Sequence, residues 1–137
     1  MNRVEGKAAL ITGGGAGIGA ATGELICAEG GAVVLVDASA EVLARTTIII
    51  AERVPGARVS SFAADVADPK QAVAAVEHAL AAFGRLDIPV NNSAMRSYSA
   101  IAESTPAEWQ AVVGVNLVGL ANYCKAVCAE SVAEATR

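Results

Sequence analysis

Cysteine is scarce and unpaired in this chain: three residues in 137, Cys27, Cys124 and Cys128, an odd number with no Cys-x-x-Cys spacing. A secreted disulfide framework and a structural zinc site are both unexpected on that pattern, and no metal is expected. Positive charge is also in short supply. Ten Lys and Arg residues against fourteen Asp and Glu give a net charge of -4, and the basic residues stand singly. Such a surface lacks the footprint that phosphate backbones require, which argues against nucleic acid as a partner. Long apolar runs are missing too, although 54% of the residues are hydrophobic. The longest uncharged stretch near the end, Gln110 to Cys124, has 15 residues and includes Gln110, Asn116 and Asn122. A membrane-spanning helix wants about 20 mostly apolar residues. At the N-terminus Glu5 interrupts Arg3 and Lys7, and the apolar run that follows dissolves into glycines after Thr12. That is not a signal-peptide pattern. These absences predict a cytoplasmic chain with reduced thiols and no membrane contact.

What is present is a globular composition, predicting one domain over residues 1–137 that buries roughly 68% of its unfolded surface. Short apolar runs alternate with longer amphipathic segments in a βαβ rhythm. The predicted strands are Ala8 to Thr12, Ala32 to Asp37, Arg58 to Ala63 and Leu86 to Asn91. The predicted helices are Gly17 to Ala28, Ala40 to Arg53, Pro69 to Phe83 and a final stretch from Pro106 onward. Near-continuous runs such as AVVLVD read as parallel strands covered on both faces. Two helix starts are plainly signed: Asp68 before Pro69, and Thr105-Pro106 with Glu108, a capping box with proline at the first helical position.

Between the first strand and the first helix lies Thr12-Gly13-Gly14-Gly15-Ala16-Gly17-Ile18-Gly19. A chain that reverses tightly into a helix without side chains lets an anion approach the helix N-terminus, where unpaired N–H groups and the dipole favour it. A pyrophosphate fits. A flexible loop is the plainer reading of the glycines alone, but the next strand ends at Asp37, 20 residues past Gly17. That is the spacing of a carboxylate that binds the hydroxyls of an adenosine ribose.

With these residues in view, the chain resembles the short-chain dehydrogenases/reductases. Thr12, Gly13, Gly17 and Gly19 match the family's T-G-x-x-x-G-x-G turn. Gly15, Gly17 and Ala20 fit the looser G-x-G-x-x-A. Asp65-Val66 resembles the pair that contacts the adenine ring, and Leu86-Asp87 with Val90-Asn91-Asn92 resembles the L-D-x-x-V-N-N-A-G strand. Val115-Asn116-Leu117 resembles the V-N-L segment that carries the family's helix asparagine. The resemblance covers almost the whole chain. It implies a Rossmann-type doubly wound parallel sheet, strand order 3-2-1-4, ending before the family's fifth strand. It also implies an NAD cofactor held by Gly13, Gly15, Gly17, Ile18, Gly19, Asp37, Asp65, Val66, Asn92, Ser93 and Ala94, with Asn116 as the one residual catalytic position.

Two departures bear on the site. Asn91-Asn92-Ser93-Ala94 stands where the family has N-N-A-G, so Ala94 replaces a glycine beside the nicotinamide, and Pro89 falls inside the fourth strand, where it removes a ladder donor. The family's serine on strand five and its Tyr-x-x-x-Lys pair have no counterpart here: Tyr98 is followed at plus four by Ala102, and Tyr123 by Val127. Tyr123 and Lys125, two apart, point roughly 200 degrees away from one another on a helix. Single residues get plain readings: His78 as a helix-surface histidine, Cys124 and Cys128 as reduced helical packing, Trp109 as a helix-packing aromatic. The expected function is an NAD(H)-binding oxidoreductase of this type, moving hydride on an alcohol or ketone substrate if the missing residues are supplied. The alternatives are a non-catalytic dinucleotide-binding or regulatory module, or a truncated fragment of a longer dehydrogenase. The final helix, with Val113, Leu117, Leu120 and Cys124 on one face, and the open fourth strand are expected to associate, giving a homo-oligomer.

Overall fold

The computed structural model describes residues 2–135. Met1, Thr136 and Arg137, which the reading of 1–137 as one domain takes in, lie outside the described residues. The elements run β1 Ala8–Thr12, α1 Gly17–Ala28, β2 Ala32–Asp37, α2 Ala40–Arg53, β3 Arg58–Ala63, α3 Pro69–Phe83, β4 Ile88–Val90, α4 Pro106–Val113 and α5 Leu120–Ala135. All four strands are parallel in the order β3-β2-β1-β4. The alternation of strand and helix permits this order because each crossover is a helix packed back onto the sheet.

Alternate residues of β1 and β2 face opposite layers. Ala9, Ile11, Val33 and Leu35 meet Leu43, Ile50 and Cys27 on the α1/α2 side. Leu10, Val34 and Val36 meet Ala72, Ala75, Val76 and Ala79 of α3 and Tyr123 and Ala126 of α5 on the other. Burial on both faces is why these strands read as unbroken apolar runs. Each fully buried Leu, Ile or Val here contributes about 1.5–3 kcal/mol.

Helix starts follow the local signals. Ser39 caps α2 through Val42 N–H, Asp68 caps α3 through Lys70 and Gln71 N–H, and Thr105 with Glu108 closes a reciprocal capping box on α4. Three corrections apply. The fourth strand is Ile88–Val90, shorter than Leu86 to Asn91. Side chains displace the ladder at both its ends: the Asp87 carboxylate accepts from Ala8 N–H at 2.9 Å, and the Thr12 hydroxyl oxygen accepts from Asn92 N–H at 3.0 Å. Pro89 sits on this edge strand opposite Leu10, where a missing donor costs least. The final helix is not uniform: a π-helical turn, Gly114–Gly119, separates α4 from α5. His78 is half-buried, its Nε2 2.8 Å from Ser60 Oγ and its ring centroid 5.2 Å from that of Phe62, so it packs α3 onto β3.

Pro106–Glu130 forms a helix long and apolar enough, by length and composition, to cross a membrane. Tyr123 and Ala126 are spent on the α3 contact, which gives it a use inside the fold. Its outer face is bare: Val113 is 45%, Leu117 63% and Leu120 46% exposed. Cys124 and Cys128 are exposed on that helix as well, so they do not pack in the interior.

The candidate dinucleotide groove

The glycine turn is built by close backbone approach. Gly13 adopts a left-handed φ of +65°, and Gly19 lies so near that a Cβ there would overlap the Gly13 carbonyl oxygen. A Cβ on Gly15 would meet Asp37 Oδ2 at 2.9 Å. Asn92 locks the arrangement from across the sheet, its Nδ2 donating to the carbonyls of Thr12 (3.1 Å) and Gly13 (3.2 Å). Thr46 Oγ1 donates to the Gly15 carbonyl at 2.6 Å and ties α2 to the same turn. Gly17 differs: its φ is +55° and a Cβ there would meet nothing within 4 Å. Ala16, the residue before α1, offers no side-chain cap. The first N–H groups of α1 are therefore left to whatever enters the open space over Gly17.

From that turn a groove of about 260 Å³ runs along the carboxyl ends of the strands, lined by Gly13, Asp37, Asp65, Val66, Ser93 and Ala94 together with Met95 and Val115. The Asp37 carboxylate is fixed by two amides, Gly15 N–H to Oδ2 and Ser39 N–H to Oδ1, both at 3.2 Å. A carboxylate has about four lone-pair sites, so two remain for a ligand. Asp65 accepts from Ala67 N–H at 2.9 Å and is exposed, while Val66 is 7% exposed and gives most of its surface to the core. Ala94 needs no left-handed backbone, since no described non-glycine residue has positive φ. Ile18 is 79% exposed on the first turn of α1.

Asn92 and Asn116 both make side-chain hydrogen bonds within the chain. Asn92 Nδ2 is spent on the turn. The Asn116 carboxamide accepts from Met95 N–H (2.7 Å) and donates to Met95 C=O (2.9 Å), both ends taken by one residue's backbone. The π-helical turn that carries Asn116 also brings Gly119 against Val66, where a Cβ would meet Val66 Cγ2 at 2.8 Å.

Neither tyrosine is at the groove. Tyr98 is 90% exposed, and Tyr123 is 1% exposed with a hydroxyl that has no partner. Burial, then the nearby Asp65 charge, pushes Tyr123 up to about 12. Sequence reasoning missed Met95 and Val115 as lining residues. Each is a direct neighbour of a named one, Ala94 and Asn116, which was the available signal. Trp109 is 52% exposed and does not pack inward as expected. Among the described residues no group of three His, Cys, Asp or Glu side chains is placed to hold a metal ion.

These features define a class: a doubly wound α/β protein with its groove where the strand order reverses, between β1 and β4, beside a glycine-rich first crossover. The short chain dehydrogenase family model matches residues 7–136, and the chain belongs to that family. It is 37% identical over 125 residues to a 3-oxoacyl-(acyl-carrier-protein) reductase of Thermotoga maritima, covering 91% of this chain and 50% of that one. It is 40% identical over 119 residues to levodione reductase of Leifsonia aquatica, covering 86% and 45%. Among solved structures, a short chain dehydrogenase/reductase of Burkholderia phymatum in complex with NAD superposes with a TM-score of 0.86 at 34% identity, covering 93% of this chain and 45% of that chain. The chain thus spans about half the length of the curated relatives it matches.

Proposed function

We propose that the groove holds NAD(H), with the adenosine ribose on Asp37 and the pyrophosphate over Gly17, and that the chain is the nucleotide-holding part of an alcohol or ketone oxidoreductase. The observation that carries this is the Asp37 carboxylate, held by two backbone amides in a groove that Ser93, Ala94 and Met95 also line. The geometry fits the group: closely packed glycines leave the turn bare, and the N-terminus of α1 is uncapped. Bound nicotinamide would supply or accept the hydride. The chain's own residues bind and orient: Asp37 the ribose, the α1 amides the phosphates, Asp65 and Val66 the adenine side.

Asp37 also sets the choice between cofactors. A 2′-phosphate would face a fixed negative charge, and Gly14 to Ala16 and the residues just after Asp37 contain no Arg or Lys to receive it. NAD should bind roughly tenfold or more tighter than NADP, a difference of about 1.4 kcal/mol. Titration calorimetry with both dinucleotides tests this, and equal or tighter NADP binding refutes it. Asp37→Ala should narrow the gap.

A non-catalytic dinucleotide-binding module is the second reading, favoured by the position of the tyrosines: one in solvent, the other sealed in the core. On either reading copies of the chain associate through Val113, Leu117 and Leu120 beside the β4 edge, which light scattering checks. Three free thiols support a reducing, cytoplasmic setting.

A further inference from the structure

A second cavity, of about 250 Å³, lies outside the groove, between the loop that follows β4 and the first turns of α4. Its lining includes Ser97, Ser99, Ile101, Ser104, Glu108 and Trp109. Met95 lines the groove and Ser97 this cavity, so the two are neighbours along one loop.

The cavity is rich in acceptors and poor in free donors. Ser97 and Ser99 donate their hydroxyl protons to Glu108 Oε1, and Ser97 Oγ also accepts from Ser99 N–H at 3.4 Å, so each hydroxyl oxygen keeps at least one lone pair. Thr105 N–H donates to Glu108 Oε2 at 2.7 Å, Thr105 Oγ1 takes Glu108 N–H, and proline at the first helical position has no N–H to offer. The indole N–H of Trp109 is spent on Ser104 Oγ at 3.0 Å, and the Ser104 hydroxyl on the Ile101 carbonyl at 2.9 Å. That bond pins the ring edge while the residue stays 52% exposed. Among the described residues, no ion pair uses Glu108. A carboxylate and an indole ring lining one cavity with serine hydroxyl oxygens attract positive charge on a compact apolar body and give an anion little to bind.

We propose that this cavity binds a compact organic ammonium ion, its charge on Glu108 and its alkyl groups against the Trp109 ring and Ile101. The hydroxyl and amide bonds to Glu108 keep its carboxyl ionised, at about 2, so the charge is present across the physiological range.

Trp109 is the chain's one tryptophan, so its fluorescence reports on this site alone. Tetramethylammonium chloride, at ionic strength matched with sodium chloride, should change that emission saturably, with a dissociation constant on the order of millimolar for an exposed cation–π contact and one carboxylate. Its uncharged isostere tert-butanol should not. Glu108→Gln preserves the capping box, which accepts either side chain, and should weaken binding roughly fivefold, the loss expected for one exposed charge pair. Trp109→Leu, followed by broadening of the ligand methyl signal in proton NMR, should weaken it to a similar degree. An equal response to tert-butanol overturns the proposal, as does a response that sodium chloride reproduces. Unchanged affinity in Glu108→Gln with its helical dichroism intact overturns it too.

Discussion

Replacing Tyr123 by Phe should stabilise the protein. The ring is 1% exposed in the layer between α3, α5 and the sheet, and its hydroxyl has no hydrogen-bond partner. A buried hydroxyl that gives up water without compensation costs about 1–3 kcal/mol in proteins. Phe keeps the ring and its place in the buried cluster with Leu10, Val34 and Val76, and the space left by one oxygen gives back a fraction of that gain. A net stabilisation of about 1 kcal/mol follows. For a chain of 137 residues this raises Tm by roughly 3 °C, taking about 2.1 cal/mol/K of unfolding entropy per residue. In urea the midpoint should rise by about 0.5 M at unchanged slope, for a slope near 2 kcal/mol/M. Thermal and urea melts of the two proteins under one buffer decide the matter. A Phe variant less stable by 0.5 kcal/mol or more would show that the hydroxyl is hydrogen-bonded in the folded protein, and the reasoning from an orphaned phenol would fail.

Other outcomes follow from the turn, the capping box and the tyrosines. Gly17→Val should abolish dinucleotide binding yet leave the circular dichroism near native, because its side chain enters open space at a cost of about 1–3 kcal/mol of left-handed strain; retained affinity would make the loop a mere connector. Glu108 titrates at about 2 in the folded chain against an ordinary 4.5, held down chiefly by the Ser99 hydroxyl and then by Thr105 N–H. The stability it contributes is present above about 4.5 and lost as pH falls toward 2. In the folded chain Trp109 emission should therefore change with a midpoint near pH 2, a change that Glu108→Gln removes. The chain by itself should show no NADH turnover with short alcohols or ketones, since a placed general acid is worth about 10² to 10⁴-fold and neither tyrosine lines the groove; turnover that Tyr98→Phe or Tyr123→Phe abolishes would reveal one.

Most of the framework was legible in the sequence because it is written in local signals. β1 and β2 are apolar enough to demand two covering layers, and α3 and α4 carry caps that fix their first residues. The short β4 was not legible, because its ends are closed by side-chain bonds to residues 79 and 80 positions away, Asp87 with Ala8 and Asn92 with Thr12. The same holds for the site. Gly13, Gly19 and Asp37 could be read from spacing, whereas the bond from Asn92 to the glycine turn and that from Asn116 to Met95 span 79 and 21 residues. Trp109 was misread for another reason: helical spacing shows which residues share a face, and only tertiary packing decides whether that face is covered.

Asn116 ties the groove's loop to the turn that carries the outer apolar face. Its carboxamide grips the Met95 backbone as a neighbouring strand would, so the loop at the end of the groove is fastened to the middle of the π-helical turn. The next residue, Leu117, stands 63% exposed on the outside of that turn. A partner on Leu117 that shifted this turn would act through one amide on Met95 and the wall of the groove. By the reciprocity of linked equilibria, any factor by which such a partner changed affinity in the groove would equal the factor by which the groove's occupant changed affinity on that face.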